Sequence, residues 1–505
     1  MSEKKKHLAL IIIIYILLAS VILSACSKVD GESKKFETLD DLKNCQLAIN
    51  DSNSSYEIQI RDDIPGVEFQ RYTNYFDIFI AVANGNADAA FAFKYTFYGI
   101  QESYPNLRYI ESNFKIPIVA NFSSNSNELK ENFNSFIDEA QQSGLLDKLA
   151  EKWLYKYEDL GDEDIVDFSD LNDNQKSFKV ATCNTNVPYE YARNGELTGY
   201  EPALLYEFCK ARGYRPNVIV SSYDSIIAGV SAGKYDMALG AYGFTDERDE
   251  NSNFSNPFFY DIVVYAVNRD ADNANLIDRI KSGFERTFIE QNRWKLFVGG
   301  MMVTLLIAVL SVVLGSIVGF VLFLIAQKRK WIQSLSYRIN DILEALPVLV
   351  VLMIFFYVIF GQADISGIVV SVLVFGLSFT FSFFALISNS VRGVPADQME
   401  AGLALGYTAR QSLFKIILPQ AMESFIPAIR SAIIATLKST AIVGYVAVQD
   451  LTKAGDLIRS QTFEAFLPII TVAILYFALA KILIFLLNKF LVTPSERRNM
   501  RKEDR

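Results

Sequence analysis

The chain has 505 residues and a formal net charge of −9, and 51% of its residues are hydrophobic. A single histidine excludes a serine–histidine catalytic pair and a histidine metal site, and a chain this acidic is a poor partner for nucleic acid. The mean hydropathy of +0.20 and the concentration of acidic residues in the N-terminal half predict a soluble part and a membrane part.

Residues 1–26 form a predicted targeting segment. Lys4, Lys5 and Lys6 precede the apolar run Leu8–Leu23, and Leu-Ser-Ala-Cys follows, ending at Cys26. This ending resembles the lipobox of bacterial lipoproteins, in which the cysteine becomes the lipidated first residue. An uncleaved signal anchor is the alternative. With either interpretation, we expect the residues that follow to lie outside the cell, tied to the membrane.

Residues 36–270 alternate β-rich and helical runs, which predicts an α/β domain. The β-rich runs are CQLAIN, ADAAFAF, FKVATC and YDMALGAY, and the helical runs are NELKENFNSFIDEAQQSG and PALLYEFCKARG, each ending at a glycine. Asn84–Phe91 and Ala232–Leu239 share Gly-x-x-Asp-x-Ala, which two similar lobes would produce, as would chance. Cys45, Cys183 and Cys209 fit no metal spacing, so we expect buried thiols.

Five apolar runs in the C-terminal part predict five membrane spans, since a helix needs about 20 apolar residues to cross the hydrocarbon core. The runs are Phe297–Ala326, Ala345–Ala363, Ile365–Val391, Phe425–Val448 and Phe466–Leu491. Basic residues cluster at 328–338 and 497–505, which predicts that both segments are cytoplasmic. An odd number of spans then places the α/β domain outside, in agreement with the targeting segment.

The cytoplasmic connection between the third and fourth runs reads EAGLALGYTARQSLFKIILPQA, Glu400 to Ala421. Its apolar patches, interrupted by a glycine, predict two short helices with a turn between them, either a plain interfacial helix or a docking surface. The segment resembles the coupling loop, or EAA motif, of ABC importer membrane subunits. The residues at the motif's key positions are Glu400, Ala401, Gly406, Leu418 and Pro419.

Further motifs resemble the polar-amino-acid branch of these permeases, from about Trp294 to Leu491. They are TLKST (Thr436–Thr440) and GMMVTL (Gly300–Leu305). The resemblance implies that the coupling loop binds a cytoplasmic ATPase. No phosphate-binding loop is present, because the nearest fragment, SAGKYD, has Tyr235 where serine or threonine is needed. We therefore expect the ATPase on a separate chain.

The α/β half resembles the bilobed solute-binding proteins of the same importers, but in reversed order. Phe178–Tyr191 resembles that family's opening strand and loop, and Phe36–Trp153 its closing segment. A circular permutation of one domain explains this order, and fragments of two domains are the alternative. The predicted segments are 1–26 signal, 36–157 lobe two with closing helices, 158–177 acidic linker, 178–270 lobe one, 271–295 linker, 296–492 five-helix permease domain and 493–505 basic tail.

The resemblance also implies ligand-binding residues between the lobes. Arg248 stands where the family's arginine binds the ligand's α-carboxylate, a bidentate role that suits a guanidinium, and a surface salt bridge is the alternative. Thr245 is expected to donate a hydroxyl beside it. The expected aromatic walls are Tyr189, Tyr223 and Tyr242, with ordinary core packing as the alternative.

The amine side of the cleft departs from the family pattern. Phe93 stands where the family has an acidic residue, and Asn53 and Ser54 offer only neutral partners. An unpaired buried charge is costly, which favours a carboxylate ligand without a standard α-ammonium group. An ordinary amino acid fits if Glu190 or Glu201 points inward.

These features predict the membrane permease subunit of an ATP-driven importer for amino acids or related small carboxylates, with a fused extracytoplasmic solute-binding domain. The expected partners are the solute, a separate ATPase, membrane lipid and a second permease subunit in a dimer. We expect no enzymatic activity, cofactor or metal. The alternative is a ligand-binding transmembrane sensor that does not transport, which would need a signalling domain longer than the tail after Leu491.

Overall fold

The computed structural model describes residues 36–73, 75–101, 104–161, 163–172, 175–193, 196–221, 223–245, 252–268, 281, 283–361, 363, 365–462, 464 and 466–496. They form an α/β part followed by a helical part, which confirms the predicted fold class. The predicted lipidation site Cys26, the predicted carboxylate ligand Arg248 and the basic residues 497–505 lie outside the described residues.

A mixed sheet of nine strands organises the α/β part, in the order β2-β1-β3-β12-β4-β10-β5-β9, with β11 paired to β4. The strands are β1 (Gln46–Asn50), β2 (Glu68–Tyr72), β3 (Ala89–Phe93), β4 (Leu107–Phe122), β5 (Lys176–Thr182), β6 (Thr185–Asn186), β7 (Glu190–Arg193), β8 (Glu196–Thr198), β9 (Tyr214–Val220), β10 (Met237–Gly243), β11 (Asn253–Phe254) and β12 (Phe259–Asn268). Strands β6, β7 and β8 form a separate small sheet. All four runs predicted as β-rich contain a strand.

Two long strands, β4 and β12, join the two halves of the large sheet. Strand β4 pairs with β12 along most of its length and continues to pair with β10 near its end. Strand β12 also pairs with β3, so a strand from the end of the domain lies between two strands from its beginning. We call the β2-β1-β3 side lobe two and the β10-β5-β9 side lobe one. The pairs within each side are parallel.

Seven α-helices lie among these strands in the described residues. They are α1 (Glu57–Asp63), α2 (Asp77–Ala83), α3 (Lys94–Gln101), α4 (Asn127–Gln142), α5 (Leu145–Ala150), α6 (Tyr200–Arg212) and α7 (Tyr223–Ser231). Gly144 and Gly213 follow α4 and α6 with left-handed φ angles of 71° and 69°, as expected for helix-ending glycines. Short 3₁₀ or π turns occupy Leu39–Leu42, Asp51–Tyr56, Glu151–Tyr155 and Tyr157–Asp159.

The largest apolar cluster of the described residues includes residues of both lobes. Its buried members include Leu47 and Phe91 of lobe two and Val180 and Phe208 of lobe one. Phe133 of α4 packs on Phe208 with ring centroids 5.1 Å apart. Helix α4, which follows lobe two in the chain, therefore packs in lobe one.

The acidic stretch around residues 158–177 lies along lobe one, although its composition predicts a solvated linker. Leu171 is buried, and Tyr206 Oη donates to Asp170 Oδ2 at 2.7 Å. Arg193 Nη1 donates to the carbonyl oxygen of Gly161 at 2.6 Å. Contacts of its apolar, acidic and backbone groups thus hold this stretch against lobe one.

The described residues of the helical part form nine further helices. They are α8 (Trp294–Ala326), α9 (Lys330–Ala345), α10 (Val348–Met353), α11 (Gly367–Arg392), α12 (Asp397–Ala404), α13 (Ala409–Ser412), α14 (Leu418–Ser439), α15 (Leu451–Thr462) and α16 (Phe466–Phe490), with short turns at Glu285–Ile289, Glu290–Asn292, Ile354–Ile359, Leu413–Ile417 and Thr440–Val446. Among the described residues, four helical segments are long and apolar enough to span a membrane, and one bent pair makes up to five.

The predicted second span, Ala345–Ala363, is not one continuous helix. Lys330–Ala345 and Val348–Ile359 meet at an angle of 104°. Pro347 causes the break, because proline disfavours helical geometry in the preceding residue and has no N–H to donate. Leu346 accordingly adopts an extended conformation, with φ −89° and ψ 136°.

Helix α15, between the fourth and fifth spans, was not predicted. Its polar residues place it below the hydropathy of a span, although Leu451 and Ile458 are buried. Asp450 begins the helix by accepting hydrogen bonds from the backbone nitrogens of Thr452 and Lys453, at 3.2 and 2.9 Å. This Asx-type cap was the available signal for a helix start.

Candidate functional site

The first candidate site lies between the two lobes, where the parallel strands end, as is usual for ligand sites of open α/β sheets. In lobe two, β1 leads into the turn Asp51–Tyr56, which carries Asn53 and Ser54. Asn53 is buried and Ser54 is exposed. Asn50 shapes the turn, because its Oδ1 accepts from the backbone nitrogen of Ser52 at 3.1 Å.

On lobe one, the structure brings two of the predicted tyrosines together. Tyr223 begins α7 and Tyr242 lies in β10, and their ring centroids are 5.0 Å apart. Thr245, two residues after β10, is buried. Burial raises the pKa of Tyr242 well above its ordinary value, with Tyr223 as the next cause. The two rings are in contact, and their role as a wall for a ligand stays a prediction.

The two lobes meet where Tyr56 of lobe two approaches Gly243 of lobe one. A Cβ atom placed on Gly243 would lie 1.9 Å from Tyr56 Oη, so only glycine permits this approach. The buried Tyr56 ring stacks on Phe91, with centroids 5.7 Å apart and an interplanar angle of 18°. The sequence analysis missed both members of this contact.

Helix α3 of lobe two makes a second contact between the lobes. Thr96 Oγ1 donates to Asn186 Oδ1 at 3.3 Å. A Cβ on Gly99 would lie 3.0 Å from the carbonyl oxygen of Val187, so the backbone of α3 lies close to this loop. The lobes are therefore in contact at two places besides β4 and β12, the strands that join them and that we call the hinge strands.

Tyr189, predicted as a cleft wall, is fully buried. Its hydroxyl donates to Asp261 Oδ2 in hinge strand β12, at 2.5 Å. Burial raises the pKa of Asp261 to about 7. Hydrogen bonds from the Tyr189 hydroxyl and from the backbone nitrogen of Ile262 stabilise the charged carboxylate and partly offset this rise. Tyr189 thus links lobe one to the hinge, and a contact with ligand stays a prediction.

Two carboxyl groups that the sequence singled out are fully buried in lobe one. Glu201 Oε1 accepts from the backbone nitrogen of Ala241 at 2.9 Å. Burial raises the pKa of Glu201 to about 8. Burial also raises the pKa of Glu190 well above its ordinary value, and the nearby Glu201 adds to this shift. Burial therefore favours the protonated form of both carboxyl groups.

Phe93, predicted at the amine position of lobe two, is buried at the end of β3, with its ring centroid 6.0 Å from that of Phe91. Its role towards a ligand stays a prediction. Cys183, at another of the family's polar positions, is a buried thiol, as are Cys45 and Cys209.

Lobe one is seated on the membrane helices through α7 and the loop that follows it. Ser225 Oγ donates to the carbonyl oxygen of Tyr445 at 2.8 Å, and Tyr357 Oη lies 2.9 Å from the same oxygen. Lys234 Nζ lies 3.8 Å from the centre of the Phe356 ring, a cation–π contact. Nothing in the sequence pattern indicated these contacts.

The second candidate site is the predicted coupling loop. Helix α12 and helix α13 are joined through Gly406, whose φ of 83° requires glycine or a similarly permissive residue. Glu400 and Ala401 are exposed on α12. A Cβ on Gly402 would lie 2.5 Å from Ser412 Oγ, so the two helices pack closely.

The second helix of this loop is longer than predicted. Ala409–Val446 runs as one helical segment, so α13 continues into the fourth span instead of ending as a short helix. Leu418 and Pro419 lie where the π turn Leu413–Ile417 passes into α14. Apolar side chains on the loop remain exposed, including Leu403 (49%) and Leu405 (76%).

Arg430, an unusual charge in the fourth span, has a partner in the structure. Its Nη2 lies 3.0 Å from Glu496 Oε2 and donates to the carbonyl oxygen of Leu491. Glu423, one turn into the same helix, accepts from the backbone nitrogen and hydroxyl of Ser495 at 2.8 and 2.7 Å. Arg430 therefore joins the fourth span to the end of the fifth.

Residues 311–493 match the family described as binding-protein-dependent transport system inner membrane component. Over 174 residues the chain is 34% identical to the glutamate transport system permease protein GluD of Corynebacterium glutamicum, covering 32% of this chain and 62% of GluD, less than two thirds of its length. Over 201 residues it is 27% identical to the L-cystine transport system permease protein TcyB of Bacillus subtilis, covering 39% and 85%.

Two solved structures are each similar to part of the chain. An amino acid ABC transporter described with histidines is 26% identical, with a TM-score of 0.38, and the match covers 45% of this chain and 100% of that one. An ABC transporter periplasmic substrate-binding protein from Coxiella burnetii is 13% identical, with a TM-score of 0.27, and covers 47% and 90%.

Proposed function

We propose that the chain is the membrane subunit of an ATP-driven importer with its own solute-binding domain, because residues 311–493 match the family described as binding-protein-dependent transport system inner membrane component. One observation carries the proposal: an α/β domain with a contact zone between two lobes is seated on the permease helices of the same chain, through Ser225, Tyr357 and Tyr445. Fusion raises the effective concentration of the receptor at the permease.

The exposed surface of the coupling loop supports an ATPase partner. Leu403 and Leu405 are exposed beside the charged side chain of Glu400. Exposed apolar side chains next to charge are typical of protein interfaces. The continuous helix from Ala409 into the fourth span provides a mechanical link from that surface to the membrane. A separate cytoplasmic ATPase that binds here would switch the permease between outward-facing and inward-facing states.

The proposed topology follows the charge distribution. The α/β domain lies outside the membrane and the basic C-terminal residues lie in the cytoplasm. Cys26 carries lipid, and the chain works as a dimer of permease subunits. Helix α16 supports a lipid or subunit contact, because Phe477 (64%) and Phe485 (66%) are exposed on it.

The proposed solute is an amino acid or a related small carboxylate. Arg248 would bind the carboxylate and Thr245 would donate a hydroxyl, while Asn53 and Ser54 would contact the solute from lobe two. The aromatic pair of Tyr223 and Tyr242 supports a wall for the solute. Strand β12, from the end of the α/β part, lies between β3 and β4 from its beginning. This strand order supports one permuted domain.

Binding is tested by thermal melting of the full chain against standard amino acids and amine-free carboxylates. A solute at about 100 times its dissociation constant adds about 2.7 kcal/mol of stability. We expect one class to raise the melting temperature, and Arg248→Ala to abolish the shift. A shift that survives Arg248→Ala would reject the proposed carboxylate site.

Coupling is tested by co-purification of the chain with ABC ATPases encoded in the same genome. We expect a stable complex that Glu400→Lys disrupts. The control is Glu196→Lys, which reverses an exposed charge in the α/β part and should leave the complex intact. Failure of every ATPase to bind, or equal binding by the Glu400→Lys variant, would reject the proposed ATPase interface.

A further inference from the structure

Both lobes of the α/β part touch the permease helices, and one helix, α15, contacts both. Arg459 of α15 forms an ion pair with Asp77, the first residue of α2 in lobe two. Two residues later, Gln461 Nε2 donates to the carbonyl oxygen of Ala192 in lobe one, at 3.4 Å. The last turns of α15 therefore contact the two lobes at adjacent positions.

The ion pair is partly shielded from water, mainly on the Arg459 side. The Arg459 side chain is 11% exposed and that of Asp77 is 31% exposed. Burial lowers the pKa of Arg459, as expected for a cation in a poorly hydrated position. Exposed ion pairs contribute little, but removing one partner of a shielded pair leaves an uncompensated charge, which is strongly unfavourable. The position of Asp77 therefore matters energetically to α15.

Helix α15 is tied to two membrane spans. The backbone nitrogen of Leu451 donates to Thr304 Oγ1 of α8, at 3.2 Å. Asp450 Oδ2 accepts from Tyr476 Oη of α16, at 3.1 Å. A Cβ on Gly300 of α8 would lie 2.6 Å from the carbonyl oxygen of Asp450, so α8 and the start of α15 are in backbone contact. A displacement of α15 is therefore transmitted to the first and fifth spans.

Lobe one keeps its own contacts with the permease through Ser225 and Lys234, independent of lobe two. Lobe two is joined to lobe one through hinge strands β4 and β12. When the lobes separate about these strands with lobe one held in place, Asp77 must move relative to Ala192, and the two contacts of α15 cannot both persist. The geometry is that of a sensor for the distance between the lobes.

We propose that the C-terminal turns of α15 detect closure of the solute-binding domain, with the Asp77–Arg459 ion pair as the contact that forms in the closed state. This rests on the proposed importer function. Closure places the Asp77 carboxylate against Arg459 while Gln461 stays on lobe one. The free energy of this pair then couples solute binding to the first and fifth spans, and through them to the ATPase.

The test uses the full chain with its ATPase in proteoliposomes, and measures ATP hydrolysis with and without a mixture of the standard amino acids and amine-free carboxylates. We expect Asp77→Arg and Arg459→Asp each to reduce the stimulation about five- to tenfold, the size of a typical coupling between sites. The double variant, with the charges exchanged, should recover most of it. Asp77→Asn removes the charge with little change of shape and should act like Asp77→Arg.

A matched control and a binding measurement separate the outcomes. Glu57→Arg breaks an ion pair with Arg71 inside lobe two and should leave stimulation unchanged. The amino-acid-induced thermal shift should be retained in all variants. Full stimulation in both single variants, or no recovery in the exchanged pair, overturns the closure sensor while the importer stands. Absence of stimulation in the unaltered chain overturns the proposed function and the sensor with it.

Discussion

The contact between Tyr56 and Gly243 shows how one residue type sets the distance between the lobes. The tyrosine hydroxyl fills the space that any side chain at position 243 would occupy. Gly243 lies at the end of β10, next to the aromatic pair of Tyr223 and Tyr242. The glycine therefore determines how closely lobe two can approach the predicted solute position.

Gly243→Ala should hold the lobes apart. The added methyl group overlaps Tyr56 Oη, and overpacking of this kind costs about 1–3 kcal/mol. We expect a lower melting temperature of the full chain and weaker solute binding. Combining it with Tyr56→Phe removes the overlapping hydroxyl and should restore part of the stability. An unchanged melting temperature in Gly243→Ala would mean that the lobes do not meet here in solution.

Buried carboxyl groups predict how stability depends on pH. The pKa of Asp261 is raised to about 7 and that of Glu201 to about 8, both mainly by burial. The folded protein keeps protons that the unfolded chain releases near about pH 4. Asp261 and Glu201 therefore contribute fully to the free energy of unfolding at about pH 4 and below. This contribution is lost as the pH rises through about 7 and 8.

Asp261→Asn should remove the part of the decrease in stability that occurs below about pH 7. Asparagine retains an oxygen that can accept from Tyr189 but does not titrate. The measurement is the melting temperature of the full chain between about pH 5 and pH 9. The unaltered chain should become less stable across this range, and the variant should change less below about pH 7. Identical slopes would show that Asp261 does not titrate in this window.

At the scale of elements, the coupling loop depends on close packing of α12 on the helix that follows. Gly402 is buried against Ser412, and Leu413 and Ile417 are buried in the cluster that contains Phe323 and Phe425. These contacts fix the exposed face that carries Glu400. The structure thus explains why a small residue stands inside α12, where glycine is otherwise unfavourable.

Gly402→Val should distort this loop without affecting solute binding. Its side chain would overlap Ser412 Oγ, which lies 2.5 Å from an ideal Cβ. We expect ATPase co-purification to fall severalfold while the solute-induced thermal shift is retained. Ala404→Val, on the exposed side of the same helix, is the matched control and should bind the ATPase normally. If Ala404→Val also reduces ATPase co-purification, the effect would be due to the low helix propensity of valine.

At the scale of the whole molecule, the two lobes share one core across the sequence order of the chain. Leu47 and Phe91 belong to the same buried cluster as Val180 and Phe208. Strand β12 completes the sheet of lobe two although it follows lobe one in sequence. The packing supports a single cooperative unit, as the permutation hypothesis requires.

Deletion of residues 36–153 tests this unit. The remaining part of the domain would expose Val180 and Phe208 and lose the partners of β10 and β12. We expect it to aggregate, measured by size-exclusion chromatography of the expressed fragment. Residues 36–268 expressed together should remain monomeric with one melting transition. A soluble, folded remainder would favour fragments of two domains instead.

The sequence by itself determined the division of the chain, the α/β and helical classes and the four β-rich runs, because burial in a sheet or a membrane requires apolar periodicity that composition records directly. It also indicated the glycine turn at Gly406. Pro347 is present in the sequence, but the apolar composition around it did not indicate the bend that it produces. Helix α15 was missed because its surface is mixed, and such helices are stabilised mainly by tertiary contacts.

Only the tertiary structure decided which residues meet. The approach of Tyr56 to Gly243 and the pairing of Asp77 with Arg459 join positions far apart in the chain, as does the contact of buried Glu201 with Ala241. Local sequence carries no record of such contacts, because each partner alone resembles an ordinary surface or core residue. Their consequences for stability and coupling arise from desolvation and close packing, which exist only once the elements are assembled.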